Sequence, residues 1–95
     1  MRHTIELTPR LRTAADLVPP GTRLADIGTD HAYLPTALLL EGKIPYAVAA
    51  DLRRGPLLRA KETAEQYGCG DRMRFCLCDG LKGIQPEETD AVVIA

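Results

Sequence analysis

Apolar and polar positions along this chain fall into two alternating rhythms. After Thr8-Pro9, residues Leu11, Ala14, Ala15, Leu17 and Val18 recur at helical spacing, with the threonine as N-cap and the proline in the first turn. That spacing predicts a helix of about two and a half turns, ended by Pro19-Pro20-Gly21. Thr22 to Gly28 reads as a short buried strand running into a glycine turn, followed by a second helix from Asp30 or His31 to Glu41, with Pro35 tolerated in its first turn. Tyr46 to Ala50 is another apolar run, stopped by Asp51. Gly55-Pro56 opens a third helix, in which Leu57, Leu58, Ala60 and Ala64 share one side and Gly68 serves as the left-handed cap. Met73 to Cys78 and Ala91 to Ala95 supply a third and a fourth strand, separated by a polar segment containing Pro86.

Strands alternating with helices are the mark of βαβ units, so the expected class is α/β, a parallel sheet with flanking helices, of about four strands and three helices. Ninety-five residues make room for one domain only. The composition, 45% hydrophobic and 26% charged, excludes a disordered chain. A formal charge of -1 leaves no sequence-wide electrostatic footprint for nucleic acid or an anionic membrane. The longest uncharged stretch, Ala32 to Leu40, is far short of the roughly 20 apolar residues that cross a bilayer, and the first dozen residues lack the apolar run of a secretory signal. A cytoplasmic location and no membrane partner are therefore expected. Cys69, Cys76 and Cys78 are an odd number with a Cys-x-Cys pair, which suits neither a disulfide framework nor a four-ligand zinc site, so we read them as packed thiols with no metal.

In open parallel sheets, ligands bind outside the carboxyl ends of the strands. The first strand ends in Gly28-Thr29-Asp30-His31, the second in Asp51 and the third in Asp79-Gly80. A glycine turn lets a ligand approach the backbone, and an acid ending the second strand can accept hydrogen bonds from two ribose hydroxyls. Asp51 lies 23 residues after Gly28, which suits an adenosine-containing cofactor. In a dinucleotide site of the G-x-G-x-x-G type, the second and third glycines would fall at Asp30 and Tyr33. A carboxylate there repels a pyrophosphate, which argues against NAD, whereas Asp26 and Asp30 suit a cofactor bearing an ammonium or sulfonium centre.

The strings LADIGTDHAYLP (Leu24 to Pro35), AVAADLRRGPLLRAKETAEQYG (Ala47 to Gly68), CDGL (Cys78 to Leu81) and TDAVVIA (Thr89 to Ala95) closely resemble the bacterial tRNA (adenine-N1)-methyltransferase family that modifies adenine-22. DIGTDHAYLP is the most specific of them. The resemblance implies a class I fold that uses S-adenosylmethionine, with a Rossmann-like domain and a mostly helical domain after it. It further implies cofactor contacts at Gly28 and its turn, at Asp51 for the ribose and at Asp79-Gly80 beside the adenine. In that family the strand matched by Ala91 to Ala95 runs on into a glycine-methionine-glycine-glycine turn on the substrate side. Residues 1–95 are accordingly expected to form the N-terminal part of a longer enzyme, inactive alone and lacking the tRNA-gripping surface.

The candidate cofactor residues are thus Asp26, Gly28, Thr29, Asp30, Asp51, Asp79 and Gly80, with His31 as the catalytic candidate, able to orient a base or assist proton loss. Each has a structural alternative. Asp26 can be satisfied by backbone donors, Asp51 can cap a helix, and Asp79-Gly80 is an ordinary turn pair. His31 can be a helix-start residue, and Tyr33 reads more readily as core than as a base-stacking ring. Adenine N1 carries its own lone pair, so holding it in line with a methyl group at roughly 3–3.5 Å matters more than a strong base. The alternatives in function are a noncatalytic nucleoside-binding half-domain and, more weakly, an NAD-dependent oxidoreductase.

Overall fold

The structure, a computed structural model, describes residues 4–94. Four strands, β1 (Leu24–Ile27), β2 (Ala47–Asp51), β3 (Met73–Leu77) and β4 (Ala91–Ile94), form one sheet in the order β3-β2-β1-β4. Every pairing is parallel, with Leu24 opposite both Ala47 and Ala91, and Asp51 opposite Leu77. Three helices, α1 (Pro9–Leu17), α2 (Tyr33–Leu40) and α3 (Arg54–Gln66), complete the α/β architecture predicted from the sequence.

The alternation of side chains along the strands divides the core into two layers. Leu24, Ala47, Ala49 and Met73 pack with Ala15 of α1, Leu34, Leu38 and Leu39 of α2, and Ala60 and Ala64 of α3. On the opposite face Ala25, Val48, Ala50 and Cys76 meet Ile84 from the connection between β3 and β4. The small side chains of β2 allow this close covering, and the whole strand is buried. The first two crossovers lie on one face and the third on the other, so the chain reverses between β1 and β4. That reversal opens a crevice beside the end of β1.

Local chemistry explains the helix ends. Thr8 Oγ1 accepts a hydrogen bond from the Leu11 amide, and the C-terminal carbonyls of α1 at Ala15 and Asp16 accept from Lys43 Nζ. At the end of α3 the Cys69 amide reaches the Ala64 carbonyl and the Gly68 amide the Glu65 carbonyl, with Gly68 at φ +73°, a Schellman ending. The β3–β4 connection is pinned by Glu88, which accepts from Arg74 Nε and Nη2 at 2.6 and 2.8 Å and from the Tyr46 hydroxyl at 2.9 Å. Gly83 lies against the Cys-x-Cys thiols so closely that a Cβ there would overlap Cys76 Sγ and come within 2.9 Å of Cys78 Cβ. Asp90 clasps Arg23 through both its backbone amide and its guanidinium, fixing the starts of β1 and β4 together.

Several boundaries differ from the sequence reading. α2 begins at Tyr33, two residues after His31, because Asp30 and Ala32 both adopt positive φ and interrupt helical geometry. Pro35 still falls in the first turn. β2 includes Asp51 itself, while β1 is shorter than Thr22 to Gly28 and β3 ends at Leu77. α3 starts at Arg54, one residue ahead of Gly55. Ala95, expected at the end of β4, lies outside the described residues.

Candidate functional site

Gly28 ends β1 in a tight turn at φ +71°, and a Cβ there would meet no atom within 4 Å. Backbone conformation therefore requires the glycine, and the space above it is open to a ligand. Both turn amides, of Gly28 and Thr29, donate to the Ala50 carbonyl, which ties the turn to the end of β2.

Two buried carboxylates flank this turn. Asp26, 4% exposed, accepts a hydrogen bond from the Thr29 hydroxyl at 2.8 Å. Burial pushes its carboxyl up to about 6; the Thr29 bond opposes that shift and the neighbouring Asp51 adds to it. Its partner is thus a side chain, where backbone donors were the structural alternative. Asp51, also 4% exposed, accepts from the Arg53 amide at 2.9 Å and from the Asp30 amide at 3.4 Å, with Arg53 Nε 3.5 Å away. It therefore does not cap α3, whose N-cap is Arg53 with no side-chain cap bond; one oxygen holds the Arg53 amide two residues on, and the other holds the loop after β1.

Asp26, Gly28, Thr29, Asp30 and His31 line one cavity of about 130 Å³, together with Arg10 and Leu11 of α1 and Tyr33 and Leu34 of α2. Asp51 borders it through the Asp30 amide. Asp30 is not a free carboxylate: Arg59 Nη2 of α3 lies 3.4 Å from Oδ1 and His31 Nε2 4.0 Å from the same oxygen. Asp79 and Gly80 stand apart from this cavity, at the end of the adjoining strand. The Cys78 amide donates to the Asp51 carbonyl there, while Asp79 is exposed with Lys82 Nζ 3.5 Å away and Gly80 turns at φ +60°.

Two features escaped the sequence reading. Arg10 belongs to the cavity, although nothing in its spacing distinguishes it from a solvated helix residue. Tyr33, expected in the core, is 41% exposed and stacks on His31, with ring centroids 5.0 Å apart and planes within 3°. The displaced start of α2 accounts for this, since it turns the ring away from the packed face of the helix. Among the described residues no cluster of three or more His, Cys, Asp or Glu has the arrangement of a metal site.

Comparison with known proteins gives this geometry a context. The chain is 41% identical over 91 residues to the tRNA (adenine(22)-N(1))-methyltransferase of Bacillus subtilis (strain 168), covering 96% of this chain and 38% of the relative. The M. capricolum TrmK structure in complex with S-adenosyl-homocysteine superposes with a TM-score of 0.87 at 37% identity, over 94% of this chain and 41% of that one. Streptococcus pneumoniae Sp1610 in complex with S-adenosyl-L-methionine gives 0.89 at 32% identity, over 95% and 42%. The chain thus spans roughly two fifths of the length of these relatives. The Rossmann-like methyltransferase fold implied by DIGTDHAYLP is the one observed, and a family model described as a methyltransferase domain matches residues 7–95; the chain belongs to the methyltransferase domain family.

Proposed function

We propose that this chain is the cofactor-binding part of an S-adenosylmethionine-dependent tRNA methyltransferase acting on N1 of adenine-22, in the cytoplasm. The observation that carries the reading is the pair of buried carboxylates, Asp26 and Asp51, on either side of an open glycine turn. The extent of the likeness to the Bacillus subtilis enzyme adds to it. The residues present fit the cofactor: acceptors for ribose hydroxyls, an acid and a cation for an amino-acid tail and, among the described residues lining the cavity, no glycine-rich turn suited to a pyrophosphate.

S-adenosylmethionine, when bound, supplies an electrophilic methyl group on a sulfonium. Asp51 accepts hydrogen bonds from the ribose hydroxyls, its position fixed in advance by two backbone amides. Asp26, oriented by Thr29, holds the ammonium of the amino-acid tail, and Arg10 across the cavity holds the carboxylate. Gly28 admits the ligand to van der Waals distance of the backbone. Asp79-Gly80 borders the adenine side, and Asp30, neutralised by Arg59, shapes the loop more than it attracts charge. His31 orients the incoming base, whose N1 lone pair needs no strong base to become a nucleophile. The tRNA body is gripped by surfaces of the longer protein.

Titration calorimetry with S-adenosylhomocysteine and with NADH in parallel, together with methyl transfer to unmodified tRNA by this chain and by a longer version, tests the reading. We expect binding of the first ligand only and transfer by the longer version only. Binding of NADH alone, or methylation at a base other than adenine-22, overturns it.

A further inference from the structure

The loop from Gly28 to Tyr33 is built at some cost. Asp30 and Ala32 sit at φ +57° and +58°, a left-handed region that aspartate tolerates and alanine rarely enters. Asp51 holds the Asp30 amide, Arg59 the Asp30 carboxylate, and Ala32 is fully buried. Between these anchored positions His31 is carried to the rim of the cavity, where it stacks flat on Tyr33. The other tyrosines are placed differently: Tyr46 bonds Glu88, and Tyr67 is buried. Tyr33 is thus the exposed tyrosine of the described residues, and its ring is backed by a second ring and bordered by Leu11 and Leu34.

A parallel two-ring stack at the rim of a cavity presents a flat π face, and a third flat ring extends it with a gain in buried area. We propose that the His31–Tyr33 stack is the platform on which the acceptor adenine rests, Tyr33 being a positioning residue that presents the ring edge toward the cavity. This rests on the reading that the chain serves methyl transfer to an adenine. Stacking is tolerant of base identity, so the platform supplies position and leaves base selection to other groups.

The test uses a short RNA hairpin with 2-aminopurine in its loop, titrated by fluorescence with S-adenosylhomocysteine at saturation, alongside calorimetry of S-adenosylhomocysteine alone. For Tyr33→Ala we expect hairpin affinity to fall at least about fivefold, well beyond any fall in S-adenosylhomocysteine affinity; Tyr33→Phe retains both. Unchanged hairpin affinity in Tyr33→Ala, or no quenching by the native chain, overturns the platform. An equal loss for both ligands also overturns it and assigns Tyr33 to the cofactor. If the native chain quenches the hairpin through Tyr33 yet binds no S-adenosylhomocysteine, the platform stands and the cofactor reading fails.

Discussion

Thr29 hands its hydroxyl hydrogen to Asp26 across the Gly28 turn, a 2.8 Å bond between two buried side chains. It eases only part of the penalty of burying the carboxylate, which titrates at about 6. An ordinary aspartate ionises near 4, so between about pH 4 and 6 the folded chain keeps a proton that the unfolded chain has released. Stability contributed by this group is therefore highest below pH 4, falls as pH rises to 6 and is level above it. Binding of a cationic tail runs the opposite way, because it needs the ionised acid. Affinity for S-adenosylmethionine is expected to drop by up to about tenfold per unit below pH 6. Asp26→Asn should flatten that profile in calorimetry, while His31→Gln, which alters another cavity-lining group, should leave it in place.

Asp51→Ala removes the acceptor for two backbone amides as well as the ribose contact. Hydrogen bonds to a charged group contribute about 1.5–3 kcal/mol, so S-adenosylhomocysteine affinity should fall about tenfold or more and the melting temperature should also drop. An unchanged dissociation constant would remove Asp51 from the site.

The hydroxyl of Thr36 in α2 is buried with no hydrogen-bond partner among the described residues. Thr36→Val replaces it with a methyl of similar shape and removes an unsatisfied polar atom that costs about 1–3 kcal/mol. We expect a higher denaturation midpoint with unaltered cofactor binding, measured by urea titration; a lower midpoint would mean that the hydroxyl is satisfied.

β4 forms one edge of the sheet among the described residues, with Val92 45% and Ile94 77% exposed and Leu17 of α1 beside them. An apolar, uncharged edge is a template for pairing with another strand. Light scattering should find the 95-residue chain self-associated, and Ile94→Lys should shift it toward the monomer. A monodisperse native chain would refute this.

How much of this was legible beforehand follows from what fixes each feature. The strands were, because Ala47 to Ala50 is covered on both faces and reads as a continuous apolar run, and Leu24, Ala25 and Ile27 form an apolar stretch broken only by Asp26. Gly68 was, because a left-handed helix cap selects glycine. The start of α2 was not: Ala32 has no feature that announces positive φ, and tertiary anchors impose it. The grouping of Asp26, Gly28 and Thr29 came from strand-end logic, which also led to Asp79-Gly80 at the next strand. The Asp30–Arg59 pair and the reach of Arg10 depend on how α3 and α1 pack, which no local pattern encodes.

The contact of Gly83 with the thiols of Cys76 and Cys78 makes the β3–β4 connection a chemical clock. Burial and the adjacent Cys76 thiol raise the Cys78 thiol to about 11, and Gly83 packs against the buried Cys76 thiol. Alkylation of Cys76 is therefore expected to be slow while the segment pinned by Glu88 is in place and fast where it has lifted away. The rate of labelling at Cys76 counts those openings, and any ligand that braces the end of β3 will slow it.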